Sequence, residues 1–333
     1  MSATNGAGER LEFRHAIRDA LAEELERDER VVFFGEDVAL PGGVFAVTGG
    51  LQERFGPERV IDTPISELAL AGAAFGAAAT GLRPIFEIMF GDFMALAMDS
   101  LVNQSAKYWY MSNEQGTAPL VIRCAVGGGG RFGAVHSQTP ATWLQGIPGL
   151  KIVAPAFPDD ARGLIEAAVR DENPVVVLEH KRLYPVTGEV GDAPVAIGSA
   201  RVVRRGADVT IVSTMRGVHD ALGAAELLAA SGVDAEVIDL RSLRPLDVAT
   251  VVESVSRTTR LVAVEEGPQL GGWASGLVGA VAEQALGELD DVWTLTTPDT
   301  PIPYSPVLED AYLPDADAIA RSVRSRLSVG GPV

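Results

Sequence analysis

One cysteine in 333 residues excludes an intrachain disulfide and any metal site built from several thiolates. That residue, Cys124, lies in the apolar run Pro119-Leu120-Val121-Ile122-Arg123-Cys124-Ala125-Val126, where a thiol is expected to be buried and inert. Aromatics are scarce as well, at 6% against a hydrophobic share of 47%, so the packing predicted is aliphatic and rich in Ala and Gly. Positive charge is in deficit: 27 Lys and Arg face 45 Asp and Glu, a net −18. That balance argues against nucleic acid and anionic membranes as partners, and suits docking to a basic patch. No apolar run approaches the ~20 residues that a membrane-spanning helix needs. Met1 to Arg10 has neither the apolar centre of a secretory signal nor the Arg-rich amphipathic pattern of a transit peptide, so the expected location is the cytoplasm. The four histidines show no zinc-site spacing and no Gly-x-Ser-x-Gly elbow is present, which leaves metalloenzyme and hydrolase readings without residues.

What is present is alternation. Leu11 to Asp28 carries apolar residues at helical spacing, followed by the apolar strand Val31-Val32-Phe33-Phe34. A helix is predicted from Ser66, a strand over Arg83 to Phe90, a helix from Met94 to Tyr110, a strand near Leu120 to Val126, a helix from Asp159 to Arg170 and a strand over Pro174 to Glu179. Between Tyr184 and Pro194 the composition turns to Pro, Gly and acidic residues and reads as a linker. Strands then recur near 209–213, 235–240, 261–265 and 292–296, with helices near 218–230, 246–254, 273–286 and 315–327. Continuous apolar strands between amphipathic helices predict α/β architecture, with a parallel sheet covered on both faces. The length allows two domains, divided as 1–188 and 189–333.

Three segments carry candidate chemistry. In Asp62-Thr63-Pro64-Ile65-Ser66-Glu67, Pro64 sets a turn, Ser66 is a candidate N-cap, and Glu67 falls in the first turn of a helix made almost wholly of small residues through Ala79. Such a thin helix can press against another chain or a flat heterocycle. Gly127 to Gln138 follows a strand, at the carboxyl edge where open α/β sheets bind ligands; it lacks both the dinucleotide and the P-loop spacing. Its His136 bears the side chain best suited to proton exchange near neutral pH. Gly91-Asp92-Phe93 begins like a diphosphate and magnesium motif but lacks the third glycine and the Asn pair, so that reading is rejected. Glu36-Asp37 adds a carboxylate pair at the end of the first strand.

Taken in order, Phe34-Gly35-Glu36-Asp37, Asp62 to Glu67, Met89-Phe90-Gly91-Asp92-Phe93, Asn103 to Tyr108, Pro119 to Arg123, His136-Ser137-Gln138, Pro148-Gly149-Leu150-Lys151 and Asp171-Glu172-Asn173-Pro174 resemble the beta subunit of thiamine-diphosphate-dependent 2-oxo acid dehydrogenases. This family includes the pyruvate, branched-chain and acetoin enzymes, and the resemblance runs from Phe13 to Arg326. It implies a pyrimidine-binding domain followed by a transketolase C-terminal-like domain, joined with an alpha subunit as an alpha2beta2 tetramer. Thiamine diphosphate would lie between the two chains, with the diphosphate and Mg2+ held by alpha. By the same resemblance Glu67 bonds the pyrimidine N1′ and drives the shift to the imino form, while Ile65 and Phe93 pack on the ring. His136 supplies a proton when the acyl group passes to a lipoyl disulfide, and Glu36 joins a proton path between paired sites. A structural K+ is implied at Ala118, Leu120, Val121, Ala168, Asp171 and Asn173, and a dihydrolipoyl acyltransferase is implied as a docking partner.

Two departures stand out. Arg131 and Phe132 interrupt a loop that is commonly built from small residues, so the acceptor channel is expected to differ, and Tyr108-Trp109-Tyr110 has no assignment. The rival expectations are a split transketolase-like ketol or acyl transferase with a non-lipoyl acceptor, disfavoured by only four histidines, and a non-catalytic scaffold, disfavoured by Glu67 and His136 together.

Overall fold

A computed structural model of the chain describes residues 9–191 and 193–327; the first residues, read above for a leader, lie outside them. In chain order its strands are β1 (Glu9–Glu12), β2 (Val31–Gly35), β3 (Val60–Asp62), β4 (Arg83–Ile88), β5 (Val121–Val126), β6 (Lys151–Val153), β7 (Val175–His180), β8 (Thr187–Val190), β9 (Arg201–Arg204), β10 (Val209–Ser213), β11 (Ala235–Asp239), β12 (Ser242–Arg244), β13 (Arg260–Pro268) and β14 (Asp291–Thr297). One sheet of seven strands runs β12-β6-β7-β5-β4-β2-β3, and a second of five runs β14-β13-β10-β11-β9. Within the first, every pairing from β6 to β3 is parallel, with Gly35 opposite Asp62 and Val121 opposite Val175. Strands β5 and β7 are buried along their whole length, as strands covered on both faces must be.

Most predicted elements appear within two or three residues of their expected ends, because their apolar periodicity is strong. Two do not. The segment 94–110 is not one helix: α-helix covers Met94–Asp99, a π-turn Ser100–Gln104, a 3-10 turn Ser105–Lys107, and α-helix resumes at Tyr108–Met111. Polar side chains compete there with the backbone ladder: Ser105 Oγ donates to the Ser100 carbonyl at 2.8 Å, and Asn103 and Gln104 donate to Asp99. The expected linker also contains β8, which pairs antiparallel with β1, so Thr187–Val190 returns to the start of the chain. The C-terminal half in turn lends β12 to the first sheet, where it pairs antiparallel with β6.

Ion pairs bind the halves further. Arg241 reaches Asp160 at 2.9 Å, and Arg201 reaches Asp159 and Asp160 at 3.0 Å. In the second sheet Glu265 is buried at the start of the helix Trp273–Ala285, accepting from the Trp273 and Ala274 amides at 3.2 and 2.9 Å. Burial pushes its carboxyl up to about 7 despite those amides. A folded-state value above the ordinary 4.5 means the folded chain binds more protons between roughly pH 4.5 and 7, so stability falls as pH rises through that window. Across it, the parent is expected to lose about 3 kcal/mol of stability in urea unfolding relative to Glu265→Gln, which lacks the titrating group; the same pH dependence in both would refute this.

Candidate active site

Five adjacent parallel strands deliver the site to one edge. Glu36 follows β2, Glu67 opens the helix Glu67–Ala79 after β3, Phe93 ends a 3-10 turn after β4, the glycine loop and His136 follow β5, and His180 and Lys181 end β7. All lie at the carboxyl ends of these strands, where parallel sheets bind ligands.

Glu36 and Glu67 are 7% and 5% exposed, and the Glu67 charge reaches Glu36. Burial first, and then the Glu67 charge, raise the Glu36 carboxyl above the usual carboxylate range; the Ser66 backbone amide partly offsets this by donating to it. Ser66 occupies the N-cap position, but its own side chain makes no capping bond, contrary to the expected role. Neighbouring Asp62 instead braces the turn, accepting from the Val38 amide at 3.1 Å. No ion pair or side-chain hydrogen bond to Glu67 occurs among the described residues. Ile65, beside this buried pair, is 82% exposed.

A second cluster surrounds His136. Its ring meets Phe90 edge-on at 4.7 Å and Phe93 at 5.4 Å, and Phe90 also contacts Phe132. Asp92 fixes the next residues of the loop, accepting from the Gln138 amide and side chain at 3.2 and 2.8 Å. The Lys181 ammonium donates to the His136 carbonyl. A cleft of about 520 Å³ is lined by the residues flanking His136, Val135 and Ser137, together with Trp143, Glu266, Ile302 and Tyr312.

The glycine loop acts as a seam between the halves. The Gly128 amide donates to Glu266, and the Gly129 and Arg131 amides donate to Glu309 at 2.8 and 3.2 Å. Arg131 adds side-chain pairs to Glu309 and Asp310. Gly127, at φ +87°, lies so close to His180 that an added Cβ would meet its Nε2 at 2.2 Å. His180 Nε2 in turn bonds Glu266 at 2.9 Å. The segment Gly127 to Gln138 was expected to let a ligand or another chain come close; the amides of Gly128, Gly129 and Arg131 grip carboxylates of the same chain.

Residues left without a role at the level of sequence are therefore Asp92, His180, Lys181 and Glu266. Glu179-His180-Lys181 closing an apolar strand was the available signal. Cys124 is buried, and burial pushes its thiol up, in line with an inert role. Trp109 and Tyr110 are exposed, while Tyr108 packs edge-on against Phe75 at 5.2 Å.

The residues expected around K+ gather at the opposite, amino edge of the sheet. Ala118 and Leu120 lead into β5, which Val121 begins, and Ala168, Asp171 and Asn173 lie where the helix Pro158–Arg170 leads into β7. Asp171 holds this turn: its carboxylate accepts from the Asn173 amide at 2.9 Å and pairs with Lys151, and its carbonyl takes Arg83 at 3.2 Å.

The chain matches two families: the transketolase pyrimidine-binding domain over residues 9–187 and the transketolase C-terminal domain over residues 198–319. It is 45% identical to the beta subunit of acetoin:2,6-dichlorophenolindophenol oxidoreductase from Cupriavidus necator, across 96% of this chain and 98% of that one. It is 42% identical to the 2-oxoisovalerate dehydrogenase beta subunit of Bacillus subtilis, across 94% of this chain and 98% of the relative. With the pyruvate dehydrogenase E1 beta subunit of Rhizobium meliloti the identity is 45%, across 94% of this chain and 69% of the relative. Among solved structures, a split-gene transketolase in an inactive beta4 tetramer superposes with a TM-score of 0.78 at 26% identity, covering 96% of this chain and 99% of that one. The transketolase-type domains and the beta-subunit relatives agree, and the chain belongs to the family of beta subunits of 2-oxo acid dehydrogenases.

Proposed function

We propose that this chain supplies half of an active site that decarboxylates a 2-oxo acid on thiamine diphosphate and passes the acyl group to a lipoyl acceptor, as one of two beta chains in a cytoplasmic alpha2beta2 assembly. The observation that carries this reading is the buried Glu36 and Glu67 pair at the sheet's carboxyl edge, opened by the exposed Ile65. A buried carboxylate with no protein donor suits a protonated ring nitrogen. Two adjacent anions repel a diphosphate, so this cluster fits the aminopyrimidine end of the cofactor; the diphosphate and Mg2+ are assigned to the alpha subunit. Bound there, thiamine diphosphate supplies an electron sink for the carbon that loses CO2.

This chain's residues do the rest. Glu67 would hold the proton at N1′, and Ile65 and Phe93 would pack on the ring and keep water from it. Glu36, whose carboxyl binds a proton more readily than usual, stores a proton beside Glu67 for exchange with the paired site. His136, whose ring nitrogens have no partner among the described residues, delivers a proton toward the acceptor. Ile65, Leu68, Leu96 and Tyr110 are exposed apolar groups suited to cover by the alpha subunit. The acidic C-terminal half, divided from the pyrimidine-binding half at 188 and 189, suits a basic acyltransferase. For the expected K+, the carbonyls ending the helix Pro158–Arg170 lie beside Asp171, but that of Ala168 accepts from the Asp171 amide and those of Val169 and Asp171 from Arg83, so a purely structural ion would have to share them.

Among candidate reactions, the oxidative decarboxylation of a 2-oxo acid is favoured over ketol transfer by relatives at 42 to 45% identity, against 26% for the transketolase. The test is co-purification with the alpha subunit, followed by turnover of pyruvate, branched-chain oxo acids and acetoin. In that complex His136→Ala is expected to reduce lipoyl acylation about a hundredfold, but dye-linked decarboxylation only severalfold. Equal losses in the two assays would remove the acyl-transfer role.

A further inference from the structure

Lys181 is 6% exposed, and nothing above gives its charge a task. Its ammonium donates to the His136 carbonyl and stands 5.4 Å from the centre of the Phe90 ring and 5.6 Å from that of Phe132. Phe90 is the ring against which the His136 imidazole rests at 4.7 Å, and Phe132 belongs to the same loop, four residues before His136. One cation therefore holds both ends of this segment, through a charged hydrogen bond at one and a cation–π contact at the other. Four ionisable groups face it: Asp92 from the turn after β4, Glu266 from β13, Cys124 from β5 and Glu309 from the helix Pro306–Tyr312. Burying a lysine among them is expensive, and a merely apolar plug would fill the space without that cost.

We propose that Lys181 is a positioning residue for His136, its ammonium clamping the segment 131–138 so that the imidazole is presented between Phe90 and Phe93. The proposal rests on the acyl-transfer role of His136 for its catalytic consequence, but not for the clamp itself. The carboxylates of Asp92, Glu266 and Glu309 keep the amine charged, and burial opposes them, bringing its pKa down to about 8. The clamp is thus complete well below pH 8, half charged near it and lost above it, since the neutral amine keeps a donor but loses its attraction for the two rings.

The test compares the parent, Lys181→Met and Lys181→Arg, each in complex with the alpha subunit. Two readouts are needed: amide hydrogen exchange of 131–138, and the ratio of lipoyl acylation to dye-linked decarboxylation from pH 6.5 to 9. Lys181→Met is expected to speed exchange in that segment about tenfold and to lower the ratio about tenfold, in line with the loss of one charged hydrogen bond. In the parent the ratio should fall as pH passes 8, whereas Lys181→Arg, whose guanidinium stays charged, should keep its ratio flat to pH 9. A purely structural lysine would not produce that difference between the two cations. Unchanged exchange in Lys181→Met, or the same alkaline fall in Lys181→Arg, overturns the proposal. Should His136→Ala leave the ratio untouched, the function given to His136 fails while the exchange measurement still decides the clamp.

Discussion

Glu67→Gln is expected to abolish turnover of the 2-oxo acid, by a factor of about a thousand or more, while the complex with the alpha subunit stays assembled. The argument is electrostatic. Glutamine keeps the shape and volume of the side chain, so the helix Glu67–Ala79 and its buried Ala71, Ala74 and Ala78 are undisturbed. What disappears is a group able to hold the ring proton, and an amide, which neither gains nor loses protons at neutral pH, cannot replace it. The change also removes the charge that helps hold Glu36 above the usual carboxylate range, so Glu36 should ionise at lower pH in the variant. Dye-linked decarboxylation measures the first effect, and size-exclusion of the co-purified chains checks assembly. Turnover within tenfold of the parent would discard Glu67 as the residue at N1′.

The sequence made some of this legible and hid the rest for physical reasons. Long apolar periodicities announced the helices at 13–27 and 158–170 and the strands β2, β4, β5 and β7, since burial on both faces leaves a continuous signal. Short strands such as β3, β6, β8 and β12 were missed, because three or four residues carry no period of their own and their existence depends on a neighbour's free edge. The break within 94–111 was hidden in local chemistry: Asp99, Ser100, Asn103, Gln104 and Ser105 look compatible with a helix, yet their side chains bond the backbone and one another. Glu67, His136, Ile65 and Phe93 were candidates from motifs, and the parallel strand order brings them to one edge of the sheet. The contacts of Lys181, Asp92 and Glu266 stayed out of view because their partners are 45 to 86 residues away, a range at which only the fold creates proximity. The glycine run left its neighbour open for a related reason: permissive backbone says that something approaches closely, not whether it is a ligand, another chain or, as with Glu266 and Glu309, the other half of the same chain.

Arg123→Met is expected to be the most damaging substitution away from the reacting groups, costing about 3–5 kcal/mol of folding stability. Arg123 is 2% exposed in the middle of β5, where its guanidinium forms a fork with Glu179 at 2.9 and 2.6 Å and also pairs with Glu87. Tyr184 donates its hydroxyl to Glu179 at 2.9 Å, and the guanidinium carbon lies 5.8 Å from the Phe33 ring centre. Burial already raises the Glu87 carboxyl above the usual range, with the Arg123 charge as its main counterweight. Methionine fills much of the volume but leaves both carboxylates without a cation in a medium that solvates them poorly. Against a total stability on the order of 5–15 kcal/mol, that loss is enough to put much of the chain into an unfolded or aggregated pool. Adding Glu179→Gln to Arg123→Met should return part of the lost stability, because it removes one uncompensated charge, although the Tyr184 bond then has a weaker acceptor. Urea midpoints of the single and double variants separate these terms, and a single variant within 1 kcal/mol of the parent would contradict the account. The effect should reach the site, since Glu179 immediately precedes His180 and Lys181: at doses of urea too low to unfold the chain, the Arg123→Met complex is expected to lose acyl transfer before it loses decarboxylation.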